Sequence, residues 1–437
     1  MKHLGRVGSR ESFDSFACGE FAQDKYGLRR KRRAGAAAQI AYIATISICC
    51  SINVRGQVAV VGETVYTMSG AAIKNGVVLV TDGKIERVGP ADRVTIPSGY
   101  KVLKGKVVTP GLVDAHTVVG LSGILNIPAD QMQLEKSDPF QPELRAIDAY
   151  NPREDLIAFV RSLGITTMHT GHAPGALASG TTIIVKPIGG TVSEALVDSG
   201  MVAFSLGSSV ASIYKNPGTS AKAVAALRAE FLKGQEYLKK KSAKDPEKRP
   251  ARDLKLEMVS RILSREVKVL FTAQRATDIM SALRLQKEFG FSMVLDGAAE
   301  AYLVIDEIKK SGVPVIVHPT MIRSGGDTKN VSMETAAKLR QAGILFALQS
   351  GMEGYVPKTR IVLYEAAVAA ANGLSFDDAL ASITINAARI IGMDKRVGSL
   401  ESGKDGDVVV YDGDPFEYTS HVCAVVINGR VVSEECN

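Results

Sequence analysis

The sequence predicts an α/β chain: a (β/α)8 TIM barrel with a small β-sandwich domain built from both ends of the mature chain, a doubly wound sheet being the alternative. Three observations predict it. Short strands broken by tight turns fill residues 57–106, and the same texture returns over 397–437. Between them, apolar runs at 107–115, 164–169, 181–186, 201–205, 267–271, 292–295, 313–318 and 343–348 alternate with helical stretches. The expected organisation is therefore an N-terminal segment 1–56, a composite β domain 57–106 with 397–437, and a barrel over 107–396.

The N-terminal segment carries most of the chain's charge imbalance. The formal net charge is +7, and residues 1–50 hold nine Lys/Arg against four Asp/Glu, so the rest carries only +2. A near-neutral body argues against a nucleic-acid partner, which would need a basic face. The basic block LRRKRR (28–33) is followed by an uncharged, small-residue run from 34 to 54. That order predicts export to the periplasm or the outside, with a membrane anchor as the alternative and no other membrane contact. Of the five cysteines, Cys423 and Cys436 alone would remain after cleavage, enough for one disulfide.

In the β ends, Asn75-Gly76, Asp82-Gly83, Asp405-Gly406, Asp412-Gly413 and Asn428-Gly429 are dipeptides that tolerate the positive φ of two-residue hairpins. In the middle, NPREDLIAFVRSLG predicts a helix capped by Asn151, with Pro152 in its first turn and Glu154 completing a capping box. Leu156, Ile157, Val160 and Leu163 share its apolar face, and Gly164 ends it. Residues 220–263 predict two helices around a lysine-rich, solvated loop.

In a barrel, chemistry belongs at the C-terminal ends of the strands. Four of the six histidines fall there: His116 after the first predicted strand, His169 and His172 after the second, His318 after the seventh.

VVTPGLVDAHT (107–117), together with ALASITINAARIIGMDKRVGSLESGKDGDVVVYDGDP (379–415), resembles the amidohydrolase superfamily, nearest its imidazolonepropionase-like branch, over about residues 58 to 434. The resemblance implies one or two divalent metals, often zinc, and hydrolysis of C–N bonds in cyclic amides or dipeptide-like substrates. A metal of that kind lowers the pKa of bound water and polarises the scissile carbonyl. It also implies ligands that this sequence replaces. Val118 stands for the second histidine of a His-x-His pair, Thr272 and Gln274 occupy the strand 5 segment, Gly297 the strand 6 place, and Ser350 and Gly351 the strand 8 aspartate. Strand 4 supplies no lysine.

Two explanations follow. In the first, a relocated metal, zinc before others, is held by His116, His169, His172 and His318. Glu300 or Asp148 then handles protons, and Arg275 and Arg145 bind substrate. In the second, no metal is held, and the retained pocket binds a small molecule or short peptide without turnover, as an exported binding protein. Asp114, Asp278 and the pair Arg145/Asp148 also match the family pattern, with loop-supporting ion pairs as the plainer reading. Homo-oligomerisation stays open.

Overall fold

The computed structural model describes residues 56–125, 127–352 and 359–436. The export expectation lies outside these residues. Among the described residues, fifteen strands make two sheets. In chain order they are β1 (Val58–Val65), β2 (Ile73–Thr81), β3 (Lys84–Pro90), β4 (Lys101–Pro110), β5 (Leu112–Thr117), β6 (Ile165–Thr170), β7 (Ala178–Val185) and β8 (Leu196–Ser205). Then come β9 (Val269–Ala273), β10 (Met293–Gly297), β11 (Val315–Val317), β12 (Phe346–Ala347), β13 (Val408–Tyr411), β14 (Val422–Ile427) and β15 (Arg430–Ser433).

The first sheet runs β15-β14-β13-β4-β1-β2-β3. It joins four strands from 58–110 to three from 408–433, because β13 pairs antiparallel with β4. It is one seven-stranded sheet around a valine-rich cluster rather than two separate sheets. Asp82-Gly83 and Asn428-Gly429 make the turns β2–β3 and β14–β15 with positive φ at all four residues. Asn75-Gly76 does not turn the chain: it lies inside β2, paired with β1 and β3. A disulfide joins Cys423 to Cys436.

The second sheet runs β12-β11-β10-β9-β8-β7-β6-β5. It is nearly closed: a parallel bridge between Thr117 and Gly351 links its two edges. The strict (β/α)8 expectation needs one correction. β7 is antiparallel to both β6 and β8. The connection 171–177 is too short for a parallel crossover, which takes a dozen residues or more, so the chain turns back instead. The predicted run 107–115 also divides: β4 ends at Pro110 in one sheet and β5 starts at Leu112 in the other. Gly111 makes the switch, since a Cβ there would lie 2.1 Å from Thr166 Oγ1.

The helix predicted after Asn151 forms over Asp155–Ser162 and starts later than expected. Asn151 Oδ1 accepts from Arg153 N, and Glu154 accepts from Ile124 N at 3.0 Å instead of capping. Helices Ser220–Lys241 and Leu254–Leu263 match the two expected there.

Inside the barrel, Val113, Ala115, Ile184, Met201, Leu270, Val294, Ile316 and Ala347 form one apolar layer. Strand side chains alternate faces, so the next inward position beyond that layer is two residues on. On β9 and β10, and just after β12, those positions are Thr272, Asp296 and Gln349. Polar groups thus crown an apolar floor at the C-terminal end.

Candidate active site: a buried histidine–aspartate pair

The crown centres on His116. The β5/β6 register shifts between Asp114 and Thr117, which re-aims His116 toward the interior. Its Nδ1 lies 3.0 Å from Asp296 Oδ1, both side chains almost wholly buried. Asp296 is held in turn: Thr272 Oγ1 donates to Oδ2 at 2.5 Å, and Gln349 Nε2 donates to Oδ1 at 2.9 Å. Burial works against charge on both partners, but each stabilises the other's ion. The Asp296 carboxylate raises His116 above the ordinary imidazole range, and His116 holds Asp296 below the ordinary carboxylate range. His116 Nε2, at the other edge of the ring, is buried without a hydrogen-bond partner among the described residues.

Asp114 lies behind this pair. Its carboxylate accepts from His116 N at 3.3 Å, from Ser350 N at 3.0 Å and from the Ser350 hydroxyl. Burial nevertheless pushes it up to about 6.

A cavity of about 150 Å³ opens beside the pair. His116, Thr272, Gln274, Asp296 and Gln349 supply its polar wall, and Val118, Pro174, Pro319, Ile322 and Met352 its apolar one. A larger cavity of about 1100 Å³ lies at the opposite end of the barrel, between the β1–β2 connection and the approach to β12. It contains no histidine and no unpartnered buried group, so the chemistry belongs to the smaller one.

The four-histidine metal site is not assembled. His169 spends both ring nitrogens, on Ala115 O at 2.7 Å and Thr182 Oγ1 at 2.6 Å. His318 turns away from the barrel: Nδ1 lies 2.8 Å from Pro319 O and Nε2 3.4 Å from Thr335 Oγ1. His172 keeps both nitrogens unpartnered but does not line the cavity. Burial first, and then His116, push His169 and His172 each down to about 4. Among the described residues no group of three or more His, Cys, Asp or Glu could hold a metal ion. A histidine braced by a carboxylate, with its other nitrogen free, is also how a metal ligand is oriented. Here the remaining donors are missing, so the residues do not fit the family's metal.

The other expected site residues do not reach the cavity. Arg145 and Asp148 bind each other at 2.9 and 2.8 Å on the exposed surface, where exposure makes the pair a loop brace. Glu300 is committed to Ala276 N and the Asn330 amide. Arg275 precedes helix Ala276–Phe289 and lines a separate cavity with Asp278 and Asp327. Asp296 and Gln349 were missed by the sequence reading. The available signal was a charged residue closing the apolar run MVL, in step with Thr272 two residues beyond Leu270.

With this geometry in place, the chain can be set beside known proteins. The model of the amidohydrolase family matches residues 275–433, covering β10 to β12 and the strands that close the other sheet. That is a likeness over somewhat more than a third of the chain. Amidohydrolase tasK of Hapsidospora irregularis is 23% identical over 389 residues, which are 81% of this chain and 39% of that protein. The chain therefore spans well under half of that curated relative. An amidohydrolase of known structure from Thermotoga maritima MSB8 is 29% identical, with a TM-score of 0.81 over 87% of this chain and 100% of that one. An adenosine deaminase from Xanthomonas campestris, solved with bound zinc, shares the fold at 16% identity and a TM-score of 0.50, over 87% and 94% of the two chains. The amidohydrolase resemblance in VVTPGLVDAHT thus extends to the fold, and the likenesses lean toward an amidohydrolase-type hydrolase.

Proposed function

We propose that this chain is an amidohydrolase of the imidazolonepropionase-like branch, which hydrolyses a C–N bond of a small molecule or dipeptide-like substrate seated in the barrel-mouth cavity. The observation that carries the reading is the His116–Asp296 pair with His116 Nε2 unpartnered beside that cavity. Asp296 fixes the ring and supports its charge, as a buried carboxylate does for a catalytic imidazole. His116 gives its Nε2 proton to the departing nitrogen and recovers one from the water that adds to the carbonyl carbon. The C–N bond breaks, a C–O bond forms, and the products are a carboxylic acid and an amine. Gln274 offers its amide N–H and Gln349 its amide oxygen to orient the substrate, their other amide atoms being spent on Ala299 and Asp296. The cavity's size restricts that substrate, since about 150 Å³ is below the roughly 300 Å³ at which drug-sized sites begin.

The test is turnover of a panel of lactams, cyclic imides and dipeptides by the purified chain and by His116→Asn. Turnover lost in the variant supports the reading, and unchanged turnover removes it. A second reading, binding without turnover, draws on the same donor set, because three ligand places of the family are filled by Val118, Gly297 and Ser350. A ligand retained without turnover would select it. Export is proposed on the order of basic block and apolar run, supported by the Cys423–Cys436 disulfide, a bond type that persists outside reducing compartments.

A further inference from the structure

We infer that the centre of this chain is metal-independent: the buried, hydrogen-bonded His116–Asp296 pair occupies the place the family gives to a metal, and the corresponding ligand positions build or enclose that pair. The inference rests on the amidohydrolase reading for where the metal would sit, and on the geometry for the rest.

Each position has a different commitment. Thr272 donates its hydroxyl to Asp296 Oδ2 and so is a bracket of the pair rather than a free donor. Ser350 donates its hydroxyl to Asp114, and Thr359 Oγ1 donates to Ser350 at 3.1 Å, so this oxygen is enclosed on the far side of β5. Val118 is buried and apolar. Gly297 is the most telling. It sits at φ +75°, and a Cβ there would lie 2.4 Å from Gln274 Nε2 and 2.8 Å from its Oε1. The space that a ligating side chain would need is occupied by the Gln274 amide, which also accepts from Ala299 N. The backbone conformation itself disfavours any residue with a Cβ. No single reversion therefore recreates a ligand at that place.

What remains is one free nitrogen on His116, with His172 close enough to feel its charge and no third donor. A catalytic zinc takes three protein ligands and a water. An imidazole N–H donor can still do part of the metal's work, since a preorganised N–H in a buried site stabilises charge developing on a carbonyl oxygen.

The test separates metal from activity. The full chain is purified from zinc- and manganese-supplemented medium without chelator, and its metal content, its melting temperature with EDTA or added zinc, and its turnover are measured. The expected result is less than about a tenth of an equivalent of metal and a melting temperature that neither EDTA nor zinc moves, because a bound ion would couple to folding. Near-stoichiometric metal that His116→Asn releases overturns the inference, as does turnover abolished by chelation and restored by zinc. Turnover that survives chelation supports it. A chain with no metal and no turnover on any substrate also supports it, and fails the hydrolase reading alone. As a further arm, Val118→His, which restores the family's His-x-His pair, gains no zinc; a gain to one equivalent overturns the inference.

Discussion

The Asp114 carboxylate receives both the main-chain N–H of Ser350, at 3.0 Å, and its hydroxyl. Those bonds span 236 residues and tie β5 to the residues just after β12, where the ladder between the barrel's edges is reduced to one bridge at Thr117 and Gly351. A side chain here does the work of missing strand pairing.

Asp114→Ala should therefore loosen the barrel seam. It leaves the buried Ser350 N–H without its acceptor, at a cost of about 1–3 kcal/mol when unsatisfied, while the Ser350 hydroxyl keeps Thr117 Oγ1 at 3.0 Å. Urea unfolding should show a lower midpoint, and hydrogen exchange should speed up at Ser350 and Gly351 before the rest of the barrel.

The same carboxylate and two histidines make stability depend on pH in opposite senses. Asp114 titrates near 6 when folded against 3.8 as its ordinary value, so its contribution falls as pH rises from about 4 to 6, by about 3 kcal/mol. His169 and His172 titrate near 4 when folded against 6.5, so each contribution is full above 6.5 and is lost as pH falls toward 4, again by about 3 kcal/mol apiece. Between pH 5 and 7 these two histidines outweigh Asp114, with His116, held above its ordinary range, adding to the Asp114 side, and the chain should be less stable at pH 5 than at pH 7. His172→Gln should flatten that difference and Asp114→Asn should steepen it, both read from urea unfolding at the two pH values.

Asp296→Asn removes the counter-charge of His116. Breaking one side of a buried ion pair typically costs about 3–5 kcal/mol, so the melting temperature should drop. The imidazole signal of His116 should also titrate at lower pH in the variant, as followed by NMR. An unmoved His116 titration would show that the pair is not an ion pair.

Gly297→Ala combines a strained φ with the 2.4 Å approach to Gln274. The left-handed φ alone should cost about 1–2 kcal/mol, and displacing the Gln274 amide from Ala299 N should add to it. Gly312, at φ +70° with open space around its Cβ position, isolates the backbone part of that cost and should lose less.

Much of the fold was legible because it rests on local patterns. The apolar runs, the Asp82-Gly83 and Asn428-Gly429 turns and the two helices in 220–263 are each specified within a few residues. What was not legible depends on distant partners. Asn75-Gly76 has the composition of a turn but is held in β2 by β1 and β3. β7 reverses because of a short connection, which a count of alternating strands and helices does not register. At the site, His116 was readable from its motif, but its partner Asp296 lies 180 residues away. His169 and His318 sit at strand ends as a ligand would, and only the neighbouring hydroxyls and carbonyls reveal that their nitrogens are spent.

Lys186, just beyond the end of β7, is buried with its ammonium against Asp405, 3.1 Å away, and Asp407. Asp407 follows it by 221 residues. At synthesis rates of roughly 5–20 residues per second, the ammonium waits some 10–45 s for its counter-ion on a ribosome. Until then the base of the barrel holds a charge that it cannot bury, and β4, β13 and β14 cannot complete their sheet. Burial of Lys186 is thus coupled to completion of the other sheet, since Asp405 and Asp407 lead directly into β13.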